Sequence, residues 1–466
     1  MPIPRKDLLL LFVGSILLTI LTAIGFLYTL GYRLDRSNLS LVRSAILRID
    51  SYPKEASIYL DNQLFGKTTN VEINDLNPGS LDVRVEKSDY QIWQRQIDLV
   101  EGLVDFLDYL ILVPEEPVFE DFDLVTTNDD RYKLINYQVS SSRKTSLALT
   151  KSDVDYQLNY YQHDQSDGLE HPELLPIKQD QSLTTKSYPK LEIVKVGDNK
   201  NLLLRGENDK QEGYWFYYTG SDLIGLDQSM SIRNGELILV PNQPNKLVWV
   251  NNSELRVLNL TDKTIGPVIT SKLYSYQSEL DQIYIFTSDK DRLTLSQLDT
   301  GAPKLVSLLE DLGADQNIQV KHVDYRGADS LVIFYPDSQK LVWYRDYRSK
   351  LKTELLSSQA TALKLSPDNR YLIWQDQTGW NTLDMYYPDQ PSIAYPAELD
   401  DQMFWFDNHH LISNKSSSRI VDFDGSNSMN LSEQIVGPIL FGLDGKDLVS
   451  INLEDKVFKR LKLVAR

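Results

Sequence analysis

Few side chains in this sequence could do chemistry, and they are scattered. Five histidines occur, His163, His171, His322, His409 and His410, and cysteine is absent. Without a thiol there is no disulfide framework, no thiolate-held zinc or iron–sulfur cluster and no cysteine nucleophile. No two histidines have the H-E-x-x-H spacing that sets two imidazoles on one helical face around zinc. A G-x-S-x-G elbow and a glycine-rich phosphate loop are missing as well. His409-His410 falls at a predicted hairpin and reads as an exposed turn. Asp422-Phe423-Asp424-Gly425-Ser426-Asn427 resembles the start of a calcium loop without the rest of its pattern, and reads as a strand entering an Asp-Gly turn.

Carboxylates are too abundant to be informative. With 66 Asp and Glu, chance pairs are certain, and none can be singled out as a glycosidase acid and base. Against 48 Lys and Arg they leave a formal net charge of -18, which supplies a solvated exterior and argues against nucleic acid as a partner. Aromatic clusters are the better clue. Asn159-Tyr160-Tyr161, Trp215-Phe216-Tyr217-Tyr218 and Met385-Tyr386-Tyr387, with Trp380 just upstream, all fall on predicted third strands. Aromatic faces stack on sugars and anchor protein partners, so Trp380, Tyr386, Tyr387, Trp215 and Tyr217 are the candidate binding residues; packing between sheets is the competing role. No catalytic residue, metal site or cofactor is predicted.

The elements that must position these residues recur. From about residue 131 a unit of strand, polar turn, strand, turn and strand repeats. Its second strands carry Leu147, Leu202, Leu247, Ile283, Leu331, Leu372, Leu411 and Leu448, spaced 55, 45, 36, 48, 41, 39 and 37 residues apart. The clearest copy is Ala362–Trp374, where Ser366-Pro367-Asp368-Asn369 turns one strand into the next. It resembles the Ser-Pro-Asp-Gly-x-x-Leu segment of WD-repeat-like bacterial β-propellers, with Asn369 in place of Gly. Eight landmarks predict eight blades, or seven if an early copy is irregular. The last copy runs out of chain, so residues 118–127, just before the first blade, are expected to supply its outer strand and close the ring.

Residues 45–114 alternate with period two, as half-buried strands do, and predict a small β-sandwich. Pro53-Lys54-Glu55-Ala56, Asp61-Asn62, Gly66-Lys67-Thr68, Leu76 with Pro78-Gly79, and Tyr90 with Trp93 resemble the motifs of the PEGA domain. That family's modules are sandwiches of surface-associated bacterial and archaeal proteins, and the resemblance implies a spacer or wall-proximal binding module. Glu55 and Asn62 stand where the family has glycine. Asn tolerates positive φ and Glu does so poorly, so the first turn is expected to be reshaped.

Leu8 to Tyr32 contains no charge, and as a helix of about 1.5 Å per residue it spans a bilayer core of about 30 Å. A cleaved signal peptide ending near Ala23-Ile24-Gly25 is the alternative, disfavoured because the apolar run continues past it. Arg5 and Lys6 favour a cytoplasmic tail (1–7), while Arg33, Arg36 and Arg43 in the linker (33–44) pull the other way. The first 44 residues carry these five basic groups against Asp7 and Asp35, so the acidity belongs to the body beyond them. The sequence thus predicts a chain that is all-β apart from one transmembrane helix (8–32). A PEGA-like sandwich (45–114) and a propeller (118–466) follow it outside the cytoplasm. Its expected role is a non-enzymatic scaffold or binding protein of the cell envelope, with an envelope protein or cell-surface glycan as partner. The alternative is a propeller-type glycosidase or polysaccharide lyase, which would need a deep pocket with convergent carboxylates or histidines.

Overall fold

The computed structural model describes residues 5–29, 31–34, 41–122, 132–139, 145–162, 173–175, 184–197, 200–232, 234–278, 282–289, 292–310, 312, 318–325, 328–345, 352–387, 393–395, 403–414, 418–431, 439–441, 447–452 and 457–462. His163, His171, residues 123–127 of the expected closing segment and residues 1–4, 30 and 35–40 of the N-terminal ranges lie outside them. The chain divides into two compact units, one built on Met1–Pro117 and the other on Val118–Ser428 with Ser432–Lys462.

The first unit opens with a helix, Arg5–Thr29, whose charges Arg5, Lys6 and Asp7 are confined to its first turn. From Phe12 to Phe26 its apolar side chains are exposed on every side, Leu18 at 67% and Phe26 at 63%. The hydroxyls in this stretch are all turned inward: Ser15 donates to the carbonyl of Phe12, Thr19 to Ser15 and Thr22 to Leu18. The helix therefore presents a continuous apolar surface. Among the described residues no helix is long and apolar enough to cross a membrane, the described side chains of this one being those of Phe12 to Leu27.

The sandwich that follows pairs two sheets. Val71–Leu76, Ala45–Tyr52 and Val104–Ile111 form one, with the last two strands parallel. Gln63–Thr68, Ser57–Leu60, Gly79–Glu86 and Trp93–Leu99 form the other. Alternate residues Leu47, Ile49, Ile58, Val83, Val85 and Trp93 meet between them, each fully buried. Asp61-Asn62 closes a two-residue hairpin with Leu60 paired to Gln63 and both turn residues at positive φ. Glu55 and Asn62 both have φ 63, so the backbone keeps the left-handed turns that glycine would favour. Glu55 takes this left-handed conformation although it carries a Cβ. Its backbone is held in the turn, with its N–H on the Thr69 carbonyl and that of Ala56 on Thr69 Oγ1. That outweighs the roughly 1 kcal/mol a Cβ costs there.

The second unit is mostly β and propeller-like. From Phe119 onward the described residues form eight four-stranded sheets. Seven are consecutive, spanning 133–174, 190–225, 236–265, 273–309, 319–357, 362–394 and 403–430. The eighth joins Ile439–Phe441, Asp447–Asn452 and Val457–Lys462 to Phe119–Phe122, which pairs antiparallel with Val457–Lys462 at the sheet's edge. Each of the eight sequence landmarks lies on the second strand of its sheet.

Neighbouring sheets stack face to face. One core joins Leu147 and Tyr160 of the first sheet to Leu202, Phe216 and Tyr218 of the second. A further core joins Trp215 and Tyr217 of the second to Leu247 and Leu258 of the third. The pattern repeats between third and fourth, fourth and fifth, and fifth and sixth. A central strand covered on both faces has no polar side to show, which is why Trp215-Phe216-Tyr217-Tyr218 is an unbroken apolar run. The first strands of the fourth and fifth sheets are tied together: the Gln277 amide accepts from Val320 N–H at 2.7 Å and donates to its carbonyl.

Candidate functional site

The candidate residues separate by burial. Trp215 and Tyr217 are core side chains at 4% and 0% exposure, and Trp380 is at 2% with the Lys364 ammonium 5.6 Å above its ring. These three offer a ligand no surface. Tyr386 and Tyr387 do, at 42% and 52%. Trp380 lies on the third strand of the sixth sheet, Gly379–Asp384, and Met385-Tyr386-Tyr387 lie beyond its end, not on it as expected. The cause is Asp384. Its Oδ1 accepts the Tyr386 N–H at 2.9 Å, while the Met385 N–H bonds back to the Arg370 carbonyl, and the chain turns out of the sheet.

Asp384 also fixes a cation beside the two tyrosines. Arg370 donates from Nε and Nη2 to one oxygen of Asp384 at 3.1 and 2.9 Å. Its guanidinium lies 4.8 Å from the centre of the Tyr371 ring and 5.5 Å from that of Tyr386. Burial works against the Arg370 charge, but Asp384 outweighs it, so the guanidinium pKa rises above its ordinary value. The position of Arg370 follows from its hairpin. Asp368 Oδ1 accepts the Arg370 N–H, Ser366 Oγ accepts the Tyr371 N–H, and Asn369 takes φ 64 where the family motif has glycine. The exposed end of the sixth sheet therefore combines two aromatic faces with a fixed cation and its paired carboxylate. Stacking on such rings and bidentate bonding to hydroxyls or carboxylates are what this set can do.

Beneath it lies a second, buried set in the seventh sheet. Tyr371 stacks on Phe423 at 4.1 Å between ring centres and meets His409 edge-on at 5.7 Å. Thr382 and Tyr395 of the sixth sheet both donate to the Phe423 carbonyl. His410 is 2% exposed, which corrects the exposed turn expected for this pair; His409 is half-buried. The reason is Asp407, whose Oδ1 accepts the N–H groups of both histidines at 2.7 Å and draws the His410 ring inward. His410 Nδ1–H donates to Asp407 Oδ2 at 2.7 Å, and its Nε2 faces Asp422 Oδ1 at 3.6 Å. Burial opposes charge on His410, but the two carboxylates outweigh it and raise its pKa. Burial likewise pushes Asp407 up, and His410 with the His409 N–H more than reverses this, lowering it from its ordinary value. His409 is pushed down by burial. Asp422 ends the third strand Ser418–Asp422 and is 1% exposed, with Asn427 Nδ2 donating to it at 2.9 Å, so the calcium-like segment is a turn locked from within. Among the described residues no group of three His, Asp or Glu is placed to hold a metal ion.

A cavity of about 430 Å³ opens at the first strands of the second, third and fourth sheets, between Val194–Val196, Leu237–Val240 and Tyr276–Ser278. Lys195 and Tyr276 are the titratable groups of its described lining. Tyr276 donates to Glu236 at 2.6 Å, and burial and that carboxylate push its pKa up.

No curated protein matches the chain. Among solved structures it is similar to a eukaryotic initiation factor, at 11% identity and TM-score 0.49 over 76% of this chain and 91% of that one. It is also similar to apo AztD from Citrobacter koseri, at 12% identity and TM-score 0.39 over 82% and 96%. A third similar structure is an oligogalacturonate lyase in complex with manganese, at 8% and 0.40 over 75% and 96%. None of these likenesses transfers a function. The family match is local and lies in the first unit: residues 44–105 match the PEGA domain.

Proposed function

We propose that the protein is a membrane-anchored binding scaffold of the cell envelope with its body outside the cytoplasm. Its eight sheets close into a propeller, sealed by Phe119–Phe122 on the last sheet, and the exposed end of the sixth sheet docks a surface glycan or an envelope protein. The observation that carries this reading is Tyr386 and Tyr387 standing exposed beside an Arg370 already held by Asp384. A ligand meeting them finds aromatic area and hydrogen-bonding groups whose ordering cost has been met in the fold. The anchoring part rests on the helix, apolar around its whole described circumference with its hydroxyls bonded back to its own carbonyls. A helix apolar all round needs an apolar surrounding.

The test is binding by the full chain in detergent to an array of bacterial surface polysaccharides, alongside capture of envelope proteins. The Tyr386→Ala/Tyr387→Ala double variant is expected to lose at least about ten-fold in affinity, the scale of removing two aromatic anchors. Unchanged binding by that variant overturns the site, and turnover of a bound polysaccharide overturns the scaffold in favour of a glycosidase or lyase.

A further inference from the structure

The sandwich has two ends of different character. At one end four apolar side chains are exposed together: Val100 at 51%, Leu103 at 54%, Val104 at 43% and Phe106 at 55%. This is the end at which the chain leaves the helix. The Ser44 N–H donates to the Gly31 carbonyl at 2.9 Å, the Arg43 N–H to Glu101 Oε1 at 2.9 Å, and the Ile46 N–H to the Leu103 carbonyl at 3.0 Å. Val104 pairs with Ile46 and Phe106 with Arg48, so both lie beside the start of Ala45–Tyr52, the first strand of the sandwich after the helix. Tyr52 pairs with Ile111 at the opposite end, a strand length of roughly 20 Å away.

The outward face of the Val104–Ile111 strand changes along its length. Val104, Phe106 and Asp108 are its exposed residues, apolar at the helix end and acidic beyond. On the neighbouring strand Arg48 and Asp50 form an ion pair at 2.8 Å at the same level as that change. The helix end also carries charged groups, Arg43 with Glu101 and Asp105. Exposed Arg43 lies with its guanidinium 5.8 Å from the centre of the Tyr32 ring, and Glu101 bonds to the Arg43 backbone. An apolar rim beside a tyrosine, next to the end of an apolar helix, has the composition of a surface lying in the headgroup layer.

We infer that the sandwich lies on the lipid surface, with Val100, Leu103, Val104 and Phe106 inserted in the interfacial layer. This rests on the reading that the helix spans the membrane, and goes beyond it by making the sandwich a peripheral membrane contact in place of a free stalk. The occupant is the bilayer because the patch is continuous with the exit of the helix.

The absence of cysteine makes the test clean, since a single introduced thiol is the only one labelled. The full chain is reconstituted in phosphatidylcholine vesicles as Phe12→Cys, Leu103→Cys or Ile92→Cys, each carrying an environment-sensitive fluorophore. Lipid spin-labelled near the headgroup is the quencher. Ile92 is as exposed as Leu103, at 55%, and lies by Trp93 at the other end of the sandwich. The label at Leu103 is expected to be quenched about two-fold or more and that at Ile92 hardly at all, because interfacial insertion reaches only about 5–10 Å. Unquenched Phe12 means that the anchor reading has failed and the inference falls with it. Quenched Phe12 with equal signals from Leu103 and Ile92, or a Leu103 label that is shielded from water but not quenched, leaves the anchor standing and overturns the inference.

Discussion

The hairpins that open the sixth and seventh sheets have the same plan and opposite fates. In each, an aspartate in the turn, Asp368 or Asp407, accepts backbone N–H groups two or three residues on. In each, the first residue of the second strand pairs across with an aspartate that ends the third: Tyr371 with Asp384, and His410 with Asp422. The sixth sheet places its cation one residue earlier, at Arg370, and leaves it 29% exposed with Asp384 at 15%. The seventh places it on the strand itself, and the side chains of His410 and Asp422 are only 3% and 2% exposed. One residue of register along a strand moves a side chain to another face. That shift makes one ion pair a surface feature flanked by Tyr386 and Tyr387, and the other an internal lock under Phe423.

The comparison can be broken most severely at His410. Its replacement by Leu leaves Asp422 facing an apolar group, and the unfolding free energy is expected to fall by about 3 kcal/mol or more. An effect under about 1 kcal/mol, read from denaturant melts, would mean the buried set is not a lock.

A pH series sharpens the same point. His410 has a raised folded pKa, so its contribution is fully present below the unfolded value of about 6.5 and is lost as pH rises through the folded value. Asp407 is lowered, so its contribution is present above the unfolded value of about 4 and is lost as pH falls through the folded one. The gap in thermal midpoint between wild type and His410→Gln should therefore be widest in mildly acidic buffer and narrow toward alkaline pH. A gap that is flat with pH contradicts the charged state assigned to His410.

Arg370→Ala breaks the corresponding pair on the exposed side and is expected to cost only about 1 kcal/mol, since water reaches both partners. It should nevertheless weaken ligand capture, and a stability loss as large as that of the His410 variant would erase the distinction between the two hairpins. The smallest stability effect is expected for Tyr386→Ala/Tyr387→Ala, within about 0.5 kcal/mol, because both rings are solvated and beyond the strand. A large loss there would recast these tyrosines as packing residues, like Trp215 and Tyr217.

Much of the second unit was legible in the sequence because the central strands of its first seven sheets are buried on both faces. Such a strand has to be a short apolar run, and each of the eight landmarks, from Leu147 to Leu448, lies on the second strand of its sheet. The same property hid the site. Trp215-Phe216-Tyr217-Tyr218 and Met385-Tyr386-Tyr387 look alike as aromatic clusters, yet one fills two cores and the other lies past a strand end. The one available signal was Asp384 immediately before Met385, an acceptor placed to stop the strand. His409-His410 looked like a polar turn, and only Asp407 three residues before His410 hinted that the ring could be drawn inward and paired with a carboxylate.

The sequence by itself determined the repeat, the local turns and the apolar helix, since these follow from periodicity, turn chemistry and hydropathy within a few residues. Glu55 at φ 63 shows such a turn formed by a residue other than glycine. Only the tertiary structure decided which aromatics face solvent, which histidine is buried between carboxylates, and that the apolar rim of the sandwich adjoins the end of the helix. Those outcomes depend on contacts between residues distant in the chain, such as Thr382 with Phe423 or Ile46 with Leu103. Burial is a property of such contacts and not of composition.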